Sequence, residues 1–202
     1  AVMGENAQLT RCRIQQESER GYHTACFFAR QTRDSRVINH GFDLGGRLAR
    51  TDTHSRLVDP NAEVHFYGVY VPTGRQHMDN HTCVDHDTEH SVSREIYKGV
   101  LADHGRGVFN GKILIRKDAQ KTDSDLSSDA LLLSDKAEVD AKPELEIYAD
   151  DVVAAHGSTV GQLDEDAVFY LKSRGVADDG ARAILTYSFA NALVQKVGIA
   201  PV

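Results

Sequence analysis

The stretch Ala137–Gly175, AEVDAKPELEIYADDVVAAHGSTVGQLDEDAVFYLKSRG, begins with the period of a strand and ends with the period of a helix. In its first half Leu145 and Ile147 fall on one side and Glu144, Glu146 and Tyr148 on the other. That alternation marks a half-buried strand reaching about Tyr148. Past Gly161 the pattern changes. Asp164 stands as an N-cap, Glu165 and Asp166 place acids in the first turn, Val168 and Leu171 recur at helical spacing, and Gly175 closes the element. His156 and Gly157 are therefore expected just before the switch from strand to helix.

Upstream, from Ala1 to about Val160, the chain carries many short β-patterned runs and few helix signals. The runs are Gln8–Ile14, Tyr22–Arg30, Arg36–His40, Glu63–Val71, Lys112–Arg116, Ala130–Leu133 and Glu144–Tyr148. The polar KTDSDLSSD (Lys121–Asp129) predicts a loop or a solvent-facing corner. Glu89–His104 predicts either a turn of helix or a strand, broken up by Gly99, Gly105 and Gly107. Between the runs a polar pair followed by a small residue recurs, as ENAQL (Glu5–Leu9), RDSRV (Arg33–Val37), PNAEV (Pro60–Val64), KDAQK (Lys117–Lys121) and DKAEV (Asp135–Val139). Ala7, Ser35 and Ala62 stand 28 and 27 residues apart. Ala119 follows 57 later, close to two such steps, and the spacing then contracts to 18. A corner returning at a near-constant interval is what a coiled sheet leaves in a sequence, each strand stacking on the strand one turn earlier. An antiparallel β-sandwich has the same local period, and periodicity does not separate the two.

After Gly175, ADDGARAILTYSFANALVQKVG predicts a helix of about five turns, capped by Asp178 or Asp179 and ended by Gly198. Ile184, Tyr187, Ala190, Val194 and Val197 form one apolar stripe; Leu185, Phe189 and Leu193 form a second, displaced from it. The combined arc is wider than one buried face requires, so one part can cover the end of the coiled sheet and the other can serve a partner.

At 202 residues with a net charge of -7, ten His, three Cys and no Trp, the chain has room for one core. It shows no basic stripe with which to grip nucleic acid or anionic membrane. No apolar run approaches the ~20 residues of a spanning helix, and AVMGENAQLT does not read as a signal peptide, so a cytoplasmic location is expected. Cys12, Cys26 and Cys83 form no CxxC pair and read as reduced, small buried or half-exposed thiols. There is no Gly-rich phosphate loop, and the adjacent Asp150 and Asp151 read as a solvated corner rather than an acid/base pair.

The densest set of potential ligands is Gln76–His90. In an extended chain His77, Asp79, His81, Cys83 and Asp85 share one face, followed by His86, Asp87 and His90. Imidazole, carboxylate and thiolate on one face suit zinc or ferrous iron. Ligands two apart on a strand are roughly 7 Å apart, however, so a mononuclear site needs help from an adjacent strand. The reading without metal is a set of hydrogen-bonded stacks between coils, with neutral, satisfied histidines. A metal-dependent enzyme built on His77, His81 and Cys83 stands as one alternative function, and a self-associating structural protein as another.

The chain resembles the SufB/SufD family of iron–sulfur cluster assembly, and within it the SufD branch. The residues that carry the likeness are KPELEIYADDV (Lys142–Val152) and HGSTVGQLDEDAVFYLKSRG (His156–Gly175), preceded by RQHMDNHTCVDH (Arg75–His86), YKGVL (Tyr97–Leu101), GVFNGKI (Gly107–Ile113) and QKTDSDLSSDALLLSD (Gln120–Asp135). The resemblance implies a mainly β fold, a right-handed parallel β-helix over residues 1–160 followed by C-terminal α-helices over residues 161–202. It implies a non-enzymatic scaffold subunit that pairs with a SufB-like subunit, or with a second copy of itself when alone, while a SufC-like subunit supplies the ATPase. It further implies that His156 lies at the cluster-building junction, where a transient iron–sulfur cluster is shared with the partner and none is held tightly by this chain alone. The ATPase docking surface is expected on the terminal helices, at Tyr170, Leu171, Leu185, Phe189 and Leu193. Two departures stand out. Ala154–Ala155 replaces the Cys-Ser pair common before this histidine, and the family's N-terminal helical region is missing, so the chain reads as a core fragment ending soon after Pro201.

Overall fold

The computed structural model describes residues 1–198. Pro201 and the end of the expected helical region therefore lie outside the described residues. The described residues form twelve strands: β1 (Val2–Met3), β2 (Gln8–Gln15), β3 (Tyr22–Gln31), β4 (Arg36–Asp43), β5 (Leu48–Leu57), β6 (Glu63–Tyr70), β7 (His77–His86), β8 (Val92–Leu101), β9 (Arg106–Ile115), β10 (Asp123–Leu132), β11 (Glu138–Ile147) and β12 (Val153–Gly161). Two helices follow, α1 (Glu165–Ser173) and α2 (Asp178–Val194), with a final 3₁₀ turn at Gln195–Val197.

Odd-numbered strands make one sheet, in the order β1-β3-β5-β7-β9-β11, and even-numbered strands the other, β12-β10-β8-β6-β4-β2. Every pairing is parallel. The chain therefore winds as a β-helix of six coils, each contributing one strand to each sheet, and the sandwich alternative is excluded. The inward side chains fill a core that includes Leu57, Val64, Phe66, Val84, Phe109, Ile113, Ile115 and Leu126, all with no exposed surface.

Stacking in strict register dictates where side chains must be absent. Gly68 lies beside Tyr97, and a Cβ there would come within 2.1 Å of the Tyr97 ring; Gly99 lies beside Tyr70, where a Cβ would come within 2.4 Å. Each aromatic ring thus covers a glycine of the neighbouring coil.

The recurring corner is a left-handed residue followed by a small one. Asn6, Asp34, Asn61, His90 and Lys121 have φ near +60°, and Ala7, Ser35, Ala62, Ser91 and Thr122 follow them. The unaccounted double step in the sequence is the His90–Ser91 corner, hidden because histidine rather than Asn or Asp takes the left-handed position. The fifth corner is Lys121–Thr122, not Ala119. Ala137 belongs to the opposite corner, entering β11, so the apparent contraction is no shortening of the coil. The hydroxyls of Ser35, Ser91 and Thr122 each donate to the carbonyl three residues back, at 2.6, 3.1 and 2.9 Å.

The reading of Lys121–Asp129 as a loop is corrected: from Asp123 it is strand β10, with Ser124, Leu126 and Ser128 buried. Its inward positions include two serines because the interior holds hydroxyl stacks, such as Ser93 Oγ to Ser124 Oγ at 2.6 Å. Glu89–His104 resolves as strand β8 with flanking corners.

α2 lies against the outer face of the even-numbered sheet over β6 and β8, rather than over the end of the coil, and α1 packs on α2. Asp164 caps α1 by accepting from the backbone N–H of Asp166 at 2.9 Å. The cap of α2 is Ala177, which has no side-chain bond. Asp178, expected to cap, sits in the first turn and pairs with Lys172 (2.6 Å) and Arg182 (2.9 Å).

Candidate functional site

His156 lies in the middle of β12, not in a turn before the helix. Val-Ala-Ala-His-Gly-Ser-Thr-Val-Gly lacks alternation because most of this strand faces solvent. Its register is nevertheless fixed. Ala154 packs against the core, and His156, Ser158 and Val160 follow on the same inward side, with His156 beside Leu126 of β10. In the inner coils this column is closed: Glu95, Phe66 and Leu126 have no exposed surface. At β12 the column ends, since β12 is the last strand of its sheet and β11 the last of the other. The imidazole is exposed at the open end of the β-helix because no described strand stacks on it. Tyr148, Val153, Val160 and Ile147 are exposed around it, an apolar rim beside an unpaired strand edge.

The His77–His90 stretch divides as alternation predicts. His77, Asp79, His81, Cys83 and Asp85 are half-buried on the outer face of β7, while Met78, Asn80, Thr82, Val84 and His86 point inward. The outer residues are engaged along and between strands. Asp79 accepts from Arg50 (2.7 Å) and pairs with His81 Nε2 (2.9 Å); Asp85 pairs with Arg116 (2.7 Å), and Asp87 with Arg56 and Arg116 (both 2.8 Å). Burial, then the neighbouring carboxylates, pushes the Cys83 thiol up, away from the thiolate a metal requires. His86 is sealed inside, with Nδ1 at 2.7 Å from Ser91 Oγ and Nε2 at 3.0 Å from Ser93 Oγ; burial lowers its pKa to about 4, so it is neutral. His90 occupies the left-handed corner. Among the described residues no three His, Cys, Asp or Glu side chains are arranged to hold a metal.

Of the two stripes of α2, the coil covers part of the one on which docking is expected. Leu193 is buried and Phe189 packs on the coil, while Leu185 and Leu171 are half-buried, so only Tyr170 of the five expected docking residues is fully displayed. The exposed large apolar side chains of the two helices are Phe169, Tyr170, Ile184, Tyr187 and Val194. Composition cannot tell which stripe the coil takes, because both are apolar; in the fold Lys98 of the sheet below meets Phe189.

The family model for the SUF system FeS cluster assembly SufBD core domain matches residues 1–189. The chain belongs to this SufBD family. It is 36% identical over 192 residues to the iron–sulfur cluster assembly protein SufD of Escherichia coli K12, covering 95% of this chain and 45% of that protein. It is 34% identical over 198 residues to an iron–sulfur cluster assembly SufBD family protein of Synechocystis, covering 98% and 44%. To the chloroplastic protein ABCI7 of Arabidopsis thaliana it is 31% identical over 196 residues, covering 96% and 41%. The SufBD chain thus spans under half the length of these relatives. Among its described residues no helix is long and apolar enough to cross a membrane.

Proposed function

We propose that the chain is the core of a SufD-like, non-enzymatic scaffold subunit that works in the cytoplasm, pairing with a SufB-like subunit to present His156 where an iron–sulfur cluster is built. The observation that carries this reading is the exposed imidazole on the inward side of a terminal strand whose outer edge no described strand pairs. A strand edge with an apolar rim favours a second polypeptide that continues the sheets. In isolation, a second copy of this chain fits the same edge. The chain offers one good iron donor at that end and no thiol, since Ala154 and Ala155 precede the histidine, so the partner must supply the rest. The cluster is cargo here. Neutral imidazole is a weaker donor than thiolate, and mixed ligation suits a cluster that must be handed on.

The SufC-like ATPase is assigned to the exposed helix face, Phe169, Tyr170, Ile184, Tyr187 and Val194, in place of the stripe ending at Leu193. ATP acts through differential affinity for two arrangements of the complex. The test is His156→Ala in the complex co-expressed with its SufB-like and SufC-like partners and purified anaerobically. Iron and sulfide content should fall to background with subunit stoichiometry intact; wild-type content would refute the role.

A further inference from the structure

The two helices are joined to each other by several ion pairs and to the coil by few polar contacts. Within the pair, Arg182 makes two 2.9 Å bonds to Glu165 and a third to Asp178, and Lys172 holds Asp178 at 2.6 Å. To the coil, by contrast, a single hydrogen bond runs among the described residues: Lys98 Nζ, on the outer face of β8, donates to the carbonyl oxygen of Phe189 at 3.0 Å. The same ammonium lies 4.5 Å from the centre of the Phe189 ring. α2 also packs over β8 and β6, with Leu193 buried, and the Lys196 ammonium lies 5.4 Å from the Tyr67 ring centre. Between α2 and the β10–β11 corner the unit leaves a groove of about 590 Å³, lined by Leu133, Asp135, Leu163 and Tyr187 among others.

The other attachment is covalent. Only Gln162, Leu163 and Asp164 separate β12 from α1, so the unit is a direct extension of the strand that carries His156. Lys98 is tied to that strand as well: it lies in register with Asp129 of β10, which lies in register with Thr159 of β12.

We propose that Lys98 is a latch, a positioning residue that sets the resting place of the α1–α2 arm and whose release lets a partner gripping the outer face of the arm move β12 and its imidazole. The partner's role rests on the docking reading above; the latch itself does not. At Lys98 one charge-assisted bond and one cation–π contact bias the position of the arm and are few enough for a docking partner to displace.

The test has two arms. In the isolated chain, hydrogen exchange across 178–194 is followed for wild type, Lys98→Met, which keeps the aliphatic stem, and Lys98→Arg, which keeps a donor and a cation. Lys98→Met should raise α2 exchange about tenfold, the loss of one hydrogen bond to a charged group, leave β3–β9 unchanged, and be largely rescued by Lys98→Arg. Unchanged α2 exchange in Lys98→Met overturns the latch. In the complex, Lys98→Met should bind the ATPase subunit more tightly than wild type, since docking no longer has to displace the latch, and should blunt the ATP-dependent increase in cluster content; an undiminished ATP response overturns the coupling. If the wild-type arm does not bind the ATPase at all, the docking reading fails, and the first arm alone still decides the latch.

Discussion

Leu126 of β10 lies in register with His156 of β12, a fully buried side chain directly below an exposed one. The pair marks the boundary between the dry interior of the coil and its open end, and the two residues should behave oppositely on truncation. Leu126→Ala removes a core side chain and is expected to cost about 2–5 kcal/mol. His156→Ala should stay within about 0.5 kcal/mol. Urea unfolding of both variants checks the contrast.

Glu95 should make stability fall with rising pH. It points into the coil with no exposed surface, neither oxygen has a hydrogen-bond partner, and burial raises its pKa to about 8. The folded chain therefore keeps a proton that the unfolded chain releases above the ordinary glutamate value, and stability is lost as pH rises toward 8. His86 acts at the acid end: with its pKa lowered to about 4, the unfolded chain binds the extra proton, and stability is lost as pH falls below the ordinary histidine value. The two slopes offset each other in mildly acidic solution, leaving the Glu95 slope between neutrality and pH 8. That slope is up to ~1.4 kcal/mol per pH unit. Glu95→Gln should abolish it, as read by unfolding midpoints at several pH values.

The two faces of α2 should separate stability from docking. Leu193→Ala, at a site 2% exposed, is expected to cost about 2–4 kcal/mol. Tyr187→Ala, on the displayed face, should leave the midpoint within about 0.5 kcal/mol and weaken ATPase binding at least tenfold. Calorimetric unfolding and a pull-down titration distinguish them.

Gly68→Ala should destabilise by about 1–3 kcal/mol, since its Cβ would meet the Tyr97 ring at 2.1 Å. In combination with Tyr97→Leu the loss should be smaller than the sum of the two, because both changes act on one contact.

The parts of the fold legible in the chain are those where chemistry alternates. RQHMDNHTCVDH reads as a strand because Met78 and Val84 fall on the inward side, and KPELEIY reads so because Leu145 and Ile147 do. The β10 segment hides its period because its inward residues include Ser124 and Ser128, polar groups whose place in the core depends on stacking partners more than 30 residues away. The fourth corner hides because His90 takes a conformation usually given to Asn or Gly. His156 was placed by resemblance; nothing in the spacing of β12 shows that it lies mid-strand, since a strand open on its inward side has little need to alternate. Both stripes of α2 are legible as apolar, but not which of them the coil covers, because the contacts that meet it, such as Lys98 Nζ to the Phe189 carbonyl, come from some 90 residues earlier.

The most direct measurement is hydrogen exchange at the amides of Val153–Gly161, in the isolated chain and in the anaerobically purified complex. If the open end of the coil is where the second subunit seats, the β12 amides that face away from β10 should exchange readily in the free chain and become strongly protected in the complex, while those bonded to β10 are protected in both states and β2–β6 do not change. Equal exchange at β12 in both states would contradict the account.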